Sequence, residues 1–100
     1  MPLRAKLNEA KIQAALDRLP NWKFEDGKLR REYSFADFTL AFGFMAAAAT
    51  VIQAMDHHPE WTNVYSKVTI ALWTHDAGGI TDFDVRLAEK LESIAAKLLA

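Results

Sequence analysis

All three histidines of the chain fall in two short runs. His57 and His58 are adjacent in DHHPEW, Asp56 to Trp61, and His75 follows in LWTHDAGG, Leu72 to Gly79. The chain has no cysteine, so these imidazoles are the side chains that titrate near neutral pH. An imidazole, with an unperturbed pKa of about 6.5, can both give and take a proton there. Gathering all three beside a tryptophan and a glycine pair points to acid/base chemistry at one place. Singly, each has a plainer reading. His57 can sit against the negative end of a helix dipole, and His58 and His75 can be surface residues. The set of three favours a site.

A metal centre is the rival reading. Three histidines with Asp56 or Asp84 have the donor types that zinc or iron accepts. However, neighbouring residues on extended chain point to opposite sides, and the helical pair of histidines four apart is missing. We therefore expect no metal and no bound cofactor. Gly78-Gly79 is no phosphate-cradling loop, and Ser34, Ser66 and Ser93 lie in no nucleophile elbow. Glu60, following Pro59, reads as a solvated charge. Trp61 has two readings, core packing or an aromatic wall for a planar ligand. Asp84 reads as an early-turn acid of the last helix, able also to accept a hydrogen bond from His75 and fix its tautomer.

The elements that position these groups follow from local signals. Asn8 can cap a first helix, with Leu7 stapled on Ile12. Ile12, Ala15, Leu16 and Leu19 recur at helical spacing until Pro20. Trp22 to Phe24 and Leu29 to Tyr33 flank Glu25-Asp26-Gly27, a hairpin signal. Ser34, with Asp37 three residues later, opens a central helix that runs to about Met55. DHHPEW is then a loop, because Pro59 disfavours helical backbone at His58. Val64 and Tyr65, then Val68, Ile70 and Leu72 alternating with Thr69, Ala71 and Trp73, read as a second strand pair. Asp76 to Gly79 form a flexible glycine loop. Thr81 and Asp84 cap a last helix whose apolar stripe is Leu87, Leu91, Ile94, Ala95 and Leu98. The order α-β-β-α-β-β-α predicts an α+β fold, an antiparallel sheet with helices packed on one face.

Composition bounds the rest. One hundred residues, 51% hydrophobic and 25% charged, read as one globular domain over residues 1–100. A formal charge of −1 offers no field for a phosphate backbone, so no direct nucleic-acid partner is expected. The opening MPLRAKLNEA has no apolar stretch of signal-peptide type, and cytoplasmic is the default. Phe38 to Met55 carries no charge over a span-like length. The small Ala46 to Ala49, the polar Thr39, Thr50 and Gln53 and the flanking acids argue against a membrane. We read it as a helix buried on two sides, by its own sheet and by a second subunit.

The run AFGFMAAAATVIQAMDHHPEWTNVYSKVTIALWTHDAGGITDFDVRLA resembles the pterin-4a-carbinolamine dehydratase family. The resemblance covers Trp22 to about Ala88, with Ala41 to Met45, DHHPEW, Thr74-His75 and Asp84 in register. It implies a four-stranded antiparallel sheet with three helices, assembled as a homodimer or homotetramer. It implies dehydration of 4a-hydroxytetrahydropterin to quinonoid dihydropterin, which recycles tetrahydropterin for aromatic amino-acid hydroxylases. The family's active-site histidines match His57, His58 and His75, and its aspartate matches Asp84. On this reading His57 and His75 are the acid/base pair, and His58, Trp61 and Thr74 bind the pterin. Many members carry an acid where this chain has Gln53, and an amide cannot relay a proton as a carboxylate can. Animal relatives are also dimerisation cofactors of a homeodomain transcription factor, so a non-catalytic interaction module is the alternative function.

Overall fold

The computed structural model describes residues 5–99; the first four residues of the N-terminal stretch and Ala100 lie outside it. Helix α1, Glu9–Asp17, begins at Asn8, whose side chain accepts the Lys11 N–H at 2.9 Å. Ile12 and Ala15 turn into the core, and Leu7 packs against it. Strands β1, Lys23–Glu25, and β2, Lys28–Ser34, are joined by Asp26 and Gly27. Both turn residues have positive φ, 53° and 76°, the backbone that a tight hairpin with right-twisted strands requires.

Helix α2, Phe38–Met55, is capped by Asp37, which accepts the Leu40 N–H at 2.9 Å. Ser34, expected to open this helix, instead closes β2 opposite Lys67. The Phe35 N–H donates to the Ser66 carbonyl at 2.8 Å, which keeps the backbone extended past Ser34. Strands β3, Glu60–Val64, and β4, Lys67–Leu72, follow. The DHHPEW loop is therefore shorter than expected, because Glu60 and Trp61 belong to β3. Proline lacks the ladder donor, so Pro59 sits just before the strand. Tyr65, expected in a strand, lies in the turn at φ 53°.

The sheet order is β1-β2-β4-β3, antiparallel throughout, so the last strand in sequence lies inside the sheet. Register pairs Leu29 with Leu72 and Tyr33 with Val68. Period-two alternation then puts Leu29, Tyr33, Val68, Ile70 and Leu72 on one face, and all are buried. The helices gather on that face. Helix α2 packs chiefly along α3, Asp82–Leu99, and less on β4, where the sequence suggested the sheet as its main support. Its inward stripe is Ala41, Phe44, Ala48 and Ile52, and the Phe44 ring lies 5.0 Å from Tyr33. By length and composition α2 could cross a membrane, with mean hydropathy 1.7, but this stripe is built into the core. Phe38, Phe42, Ala46 and Ala49 on α2 are exposed.

One polar pin joins sheet and helix. Glu92 Oε1 accepts the Trp22 indole N–H, the Arg31 Nε–H and the Tyr33 hydroxyl, each at 2.8 Å. Burial pushes the Glu92 carboxyl up, but these three donors and the Arg31 charge outweigh it and hold the group below the usual carboxylate value. The Tyr33 hydroxyl is pushed up, by burial first and then by Glu92.

Candidate active site

Helix α2 ends in a left-handed turn. Asp56 has φ 51°, its N–H donates to the Gln53 carbonyl, and the His57 N–H reaches the Ile52 carbonyl at 3.4 Å. This pair of bonds satisfies the last carbonyls of the helix, and an aspartate tolerates the left-handed backbone better than most residues. The chain leaves the helix with His57 turned inward, 7% exposed, and His58 outward.

Inward, His57 meets the first turn of α3. Thr81 and Asp84 cap that turn reciprocally: the Phe83 N–H donates to Thr81 Oγ1, and the Thr81 N–H donates to Asp84 Oδ2 at 2.9 Å. Asp84 is wholly buried. Its Oδ2 also accepts the Thr74 hydroxyl at 2.8 Å, and its Oδ1 lies 2.6 Å from His57 Nε2. Thr74 spends its one proton on Asp84, so the 2.8 Å contact between the two threonine hydroxyls has Thr81 as donor. An ionised carboxylate only accepts. Nε2 of His57 therefore carries a hydrogen, and in the neutral ring Nδ1 is the nitrogen with the free lone pair. Among the described residues no buried side-chain nitrogen or oxygen lacks a partner.

The sequence offered His75 as the partner of Asp84, and the partner is His57. His75 is carried outward by a single 3₁₀ turn, His75–Ala77, closed by Gly78 at φ 70°. Thr74 bridges to Gly79 across this turn, and the Thr74 N–H donates to the Gly79 carbonyl at 2.9 Å. The glycine stretch is thus a closed turn and not an open loop. The His75 ring rests on the Trp73 indole, centroids 3.8 Å apart and planes 37° apart. The indole N–H donates to Glu60 Oε1 at 2.7 Å, and Lys28 Nζ lies 3.0 Å from the same oxygen. The hydrogen bonds from Lys28 and then Trp73 hold the Glu60 carboxyl below its usual value. Outside, His58 Nε2 stands 3.3 Å from Gln53 Oε1, at the position where the resemblance leads one to expect an acid.

The end of α2 and the end of β4 meet at one rim of the sheet. A cavity of about 340 Å³ there is lined by His57, His58, Trp73, Thr74 and His75, together with Asp56 and Asp76. Cavities of about 490 and 480 Å³ elsewhere are larger, but no histidine lines them. Trp61 is not among the lining residues of the rim cavity; it packs against the hydrophobic core. The aromatic lining residue is Trp73, which sequence reading passed over as one more strand residue. Its place directly before Thr74-His75 was the available signal.

Fold and site together define an antiparallel α+β domain with an imidazole-lined cavity backed by a buried carboxylate. The family model of pterin 4 alpha carbinolamine dehydratase matches residues 5–94, and the chain belongs to that family. It is 56% identical over 94 residues to a protein of Solibacter usitatus provisionally named pterin-4-alpha-carbinolamine dehydratase, covering 94% of this chain and 99% of the relative. A Synechococcus protein of the same provisional name is 43% identical over 88 residues, 88% of this chain and 95% of the relative. The crystal structure of a transcriptional coactivator/pterin dehydratase from Brucella melitensis matches with TM-score 0.86 at 42% identity, covering 90% of this chain and 98% of that one.

Proposed function

We propose that the chain, as a single domain over residues 1–100, dehydrates 4a-hydroxytetrahydropterin to quinonoid dihydropterin by histidine acid/base catalysis, recycling tetrahydropterin for aromatic amino-acid hydroxylases. Family membership makes it a hydro-lyase. The observation that carries the finer reading is the rim cavity, where three imidazoles converge and one is fixed in its tautomer by the buried Asp84.

In the reaction the C4a–O bond breaks, N5 gives up its proton, a C4a=N5 double bond forms and water leaves. His57 takes the N5 proton on Nδ1, and the imidazolium that forms faces the Asp84 carboxylate. His75 in its protonated form supplies the proton that turns the departing hydroxyl into water. Each such transfer is worth roughly 10²–10⁴-fold. His58 binds and orients the pterin, steadied by the Gln53 amide in place of a carboxylate. Thr74 lines the cavity, but its hydroxyl is committed to Asp84, so it acts mainly by holding that carboxylate. Trp73 takes the planar-wall role that the sequence offered to Trp61. The scheme needs no metal or bound cofactor.

We further propose a homodimer or homotetramer built on α2, whose Phe38, Phe42, Ala46 and Ala49 leave an apolar surface uncovered. The interaction-module reading draws on the same surface. It gives no use to a buried carboxylate holding an imidazole, and so it ranks second. We assign the chain to the cytoplasm, with a pterin as partner and no membrane, and its net charge of −1 gives no basic field for nucleic acid. Stopped-flow ultraviolet absorbance with chemically generated 4a-hydroxytetrahydropterin tests the reading. The chain should accelerate decay over buffer, with and without chelator. No acceleration, or loss on chelation restored by zinc or iron, would overturn it.

A further inference from the structure

His75 is the least supported of the three imidazoles. It is exposed, and among the described residues no hydrogen bond holds either of its ring nitrogens. Its one ring contact is the Trp73 indole at 3.8 Å. An exposed side chain without such a contact hops between rotamers in picoseconds to nanoseconds. The indole, half-buried against the core, is itself held in place. Glu60 at the start of β3 accepts its N–H at 2.7 Å, and Lys28 at the start of β2 pairs with Glu60 at 3.0 Å. Lys28 Nζ also lies 5.3 Å from the centre of the indole ring, within cation–π range. The starts of β2 and β3 and the residue just past the end of β4 thus each contribute one side chain to a clamp.

We propose that Glu60 is a positioning residue for the reaction: with Lys28 it pins the Trp73 indole, and the pinned indole sets where His75 stands in the cavity. An indole N–H can only donate, so a fixed acceptor is what stops the ring from turning. Lys28 and Trp73 both stabilise the ionised form of Glu60, which keeps that acceptor charged at neutral pH. Proton transfer tolerates little misplacement, and a shift of about 1 Å can cost on the order of 10²-fold. Glu60, which sequence reading left as a solvated charge, acts through two other side chains without touching the substrate.

The catalytic part of this inference rests on the proposed reaction; the geometric part does not. Two variants separate them, Glu60→Ala and Glu60→Gln, the latter keeping an acceptor for the indole. In the wild-type chain the His75 ring C–H resonances should be displaced by the indole ring current. Glu60→Ala should move them towards their unstructured positions and lower kcat about tenfold with KM little changed, while Glu60→Gln recovers most of both. Unmoved His75 resonances in folded Glu60→Ala, or no recovery in Glu60→Gln, would overturn the proposal. A wild-type chain that fails to dehydrate the pterin counts against the proposed reaction and not against the clamp, which the resonances read alone.

Discussion

Asp84→Asn is the substitution that isolates the tautomer argument. Asp84→Ala is the cruder change. It would leave the Thr81 N–H and the His57 N–H buried without acceptors, at about 1–3 kcal/mol each. That is a large part of the roughly 5–15 kcal/mol that holds a domain together. Asparagine keeps the size and one acceptor. The two donors at Oδ2, Thr74 and Thr81, claim its carbonyl, and the amide NH₂ then faces His57 Nε2. Two donors cannot bond, so the imidazole moves its hydrogen to Nδ1 and accepts through Nε2. The nitrogen assigned to take the N5 proton is now blocked. The expected loss is that of one general base, about 10²–10⁴-fold in kcat, or roughly 3–5 kcal/mol of barrier. Stopped-flow absorbance gives the rate, and ¹⁵N NMR of the imidazoles gives the tautomer. A folded Asp84→Asn chain with the wild-type rate would refute the reasoning, as would a slowed chain whose His57 still carries its hydrogen on Nε2.

Ala49→Glu on the exposed side of α2 should bury an unpaired charge between subunits and shift sedimentation to smaller species; a wild-type chain that sediments as a monomer would contradict this. Glu92→Ala strips the acceptor from Trp22, Arg31 and Tyr33, an expected loss of about 2–3 kcal/mol and a melting temperature lower by roughly 10 °C or more. Because Glu92 is held below the ordinary carboxylate value in the folded state, its contribution is complete above the unfolded value and disappears as pH falls through the lowered folded one. Thermal melts taken from neutral pH into acid should therefore show a flatter decline for Glu92→Gln than for wild type, and parallel declines would contradict the assignment.

Much of the fold was legible because its signals are local. Asn8 caps α1, Asp26-Gly27 turns the first hairpin, and Thr81 with Asp84 starts α3, each within a few residues of the element it defines. What escaped depends on distant partners. Glu60-Trp61-Thr62-Asn63 has little apolar alternation, and only pairing with β4 makes it a strand. Ser34 and Asp37 both have cap chemistry, and the continued pairing of Phe35 with the turn at Ser66 decides between them. The three histidines were legible as a set from their runs, but which of them meets Asp84 was not. That choice follows from the left-handed turn at Asp56, which sends His57 inward, and from the 3₁₀ turn, which carries His75 out. Trp73 and Glu92 were missed because a strand-end tryptophan and a helix glutamate look ordinary until their partners across the sheet are known.

The central claim is that His57 and His75 move the protons. It is tested most directly by the His57→Ala/His75→Ala double variant in stopped flow with racemic 4a-hydroxytetrahydropterin. Each single variant should lose roughly 10²-fold or more in kcat. The double variant, still folded by circular dichroism, should be slower than either single variant. A folded double variant that dehydrates the substrate at the wild-type rate would contradict the account and move the interaction-module reading ahead of it.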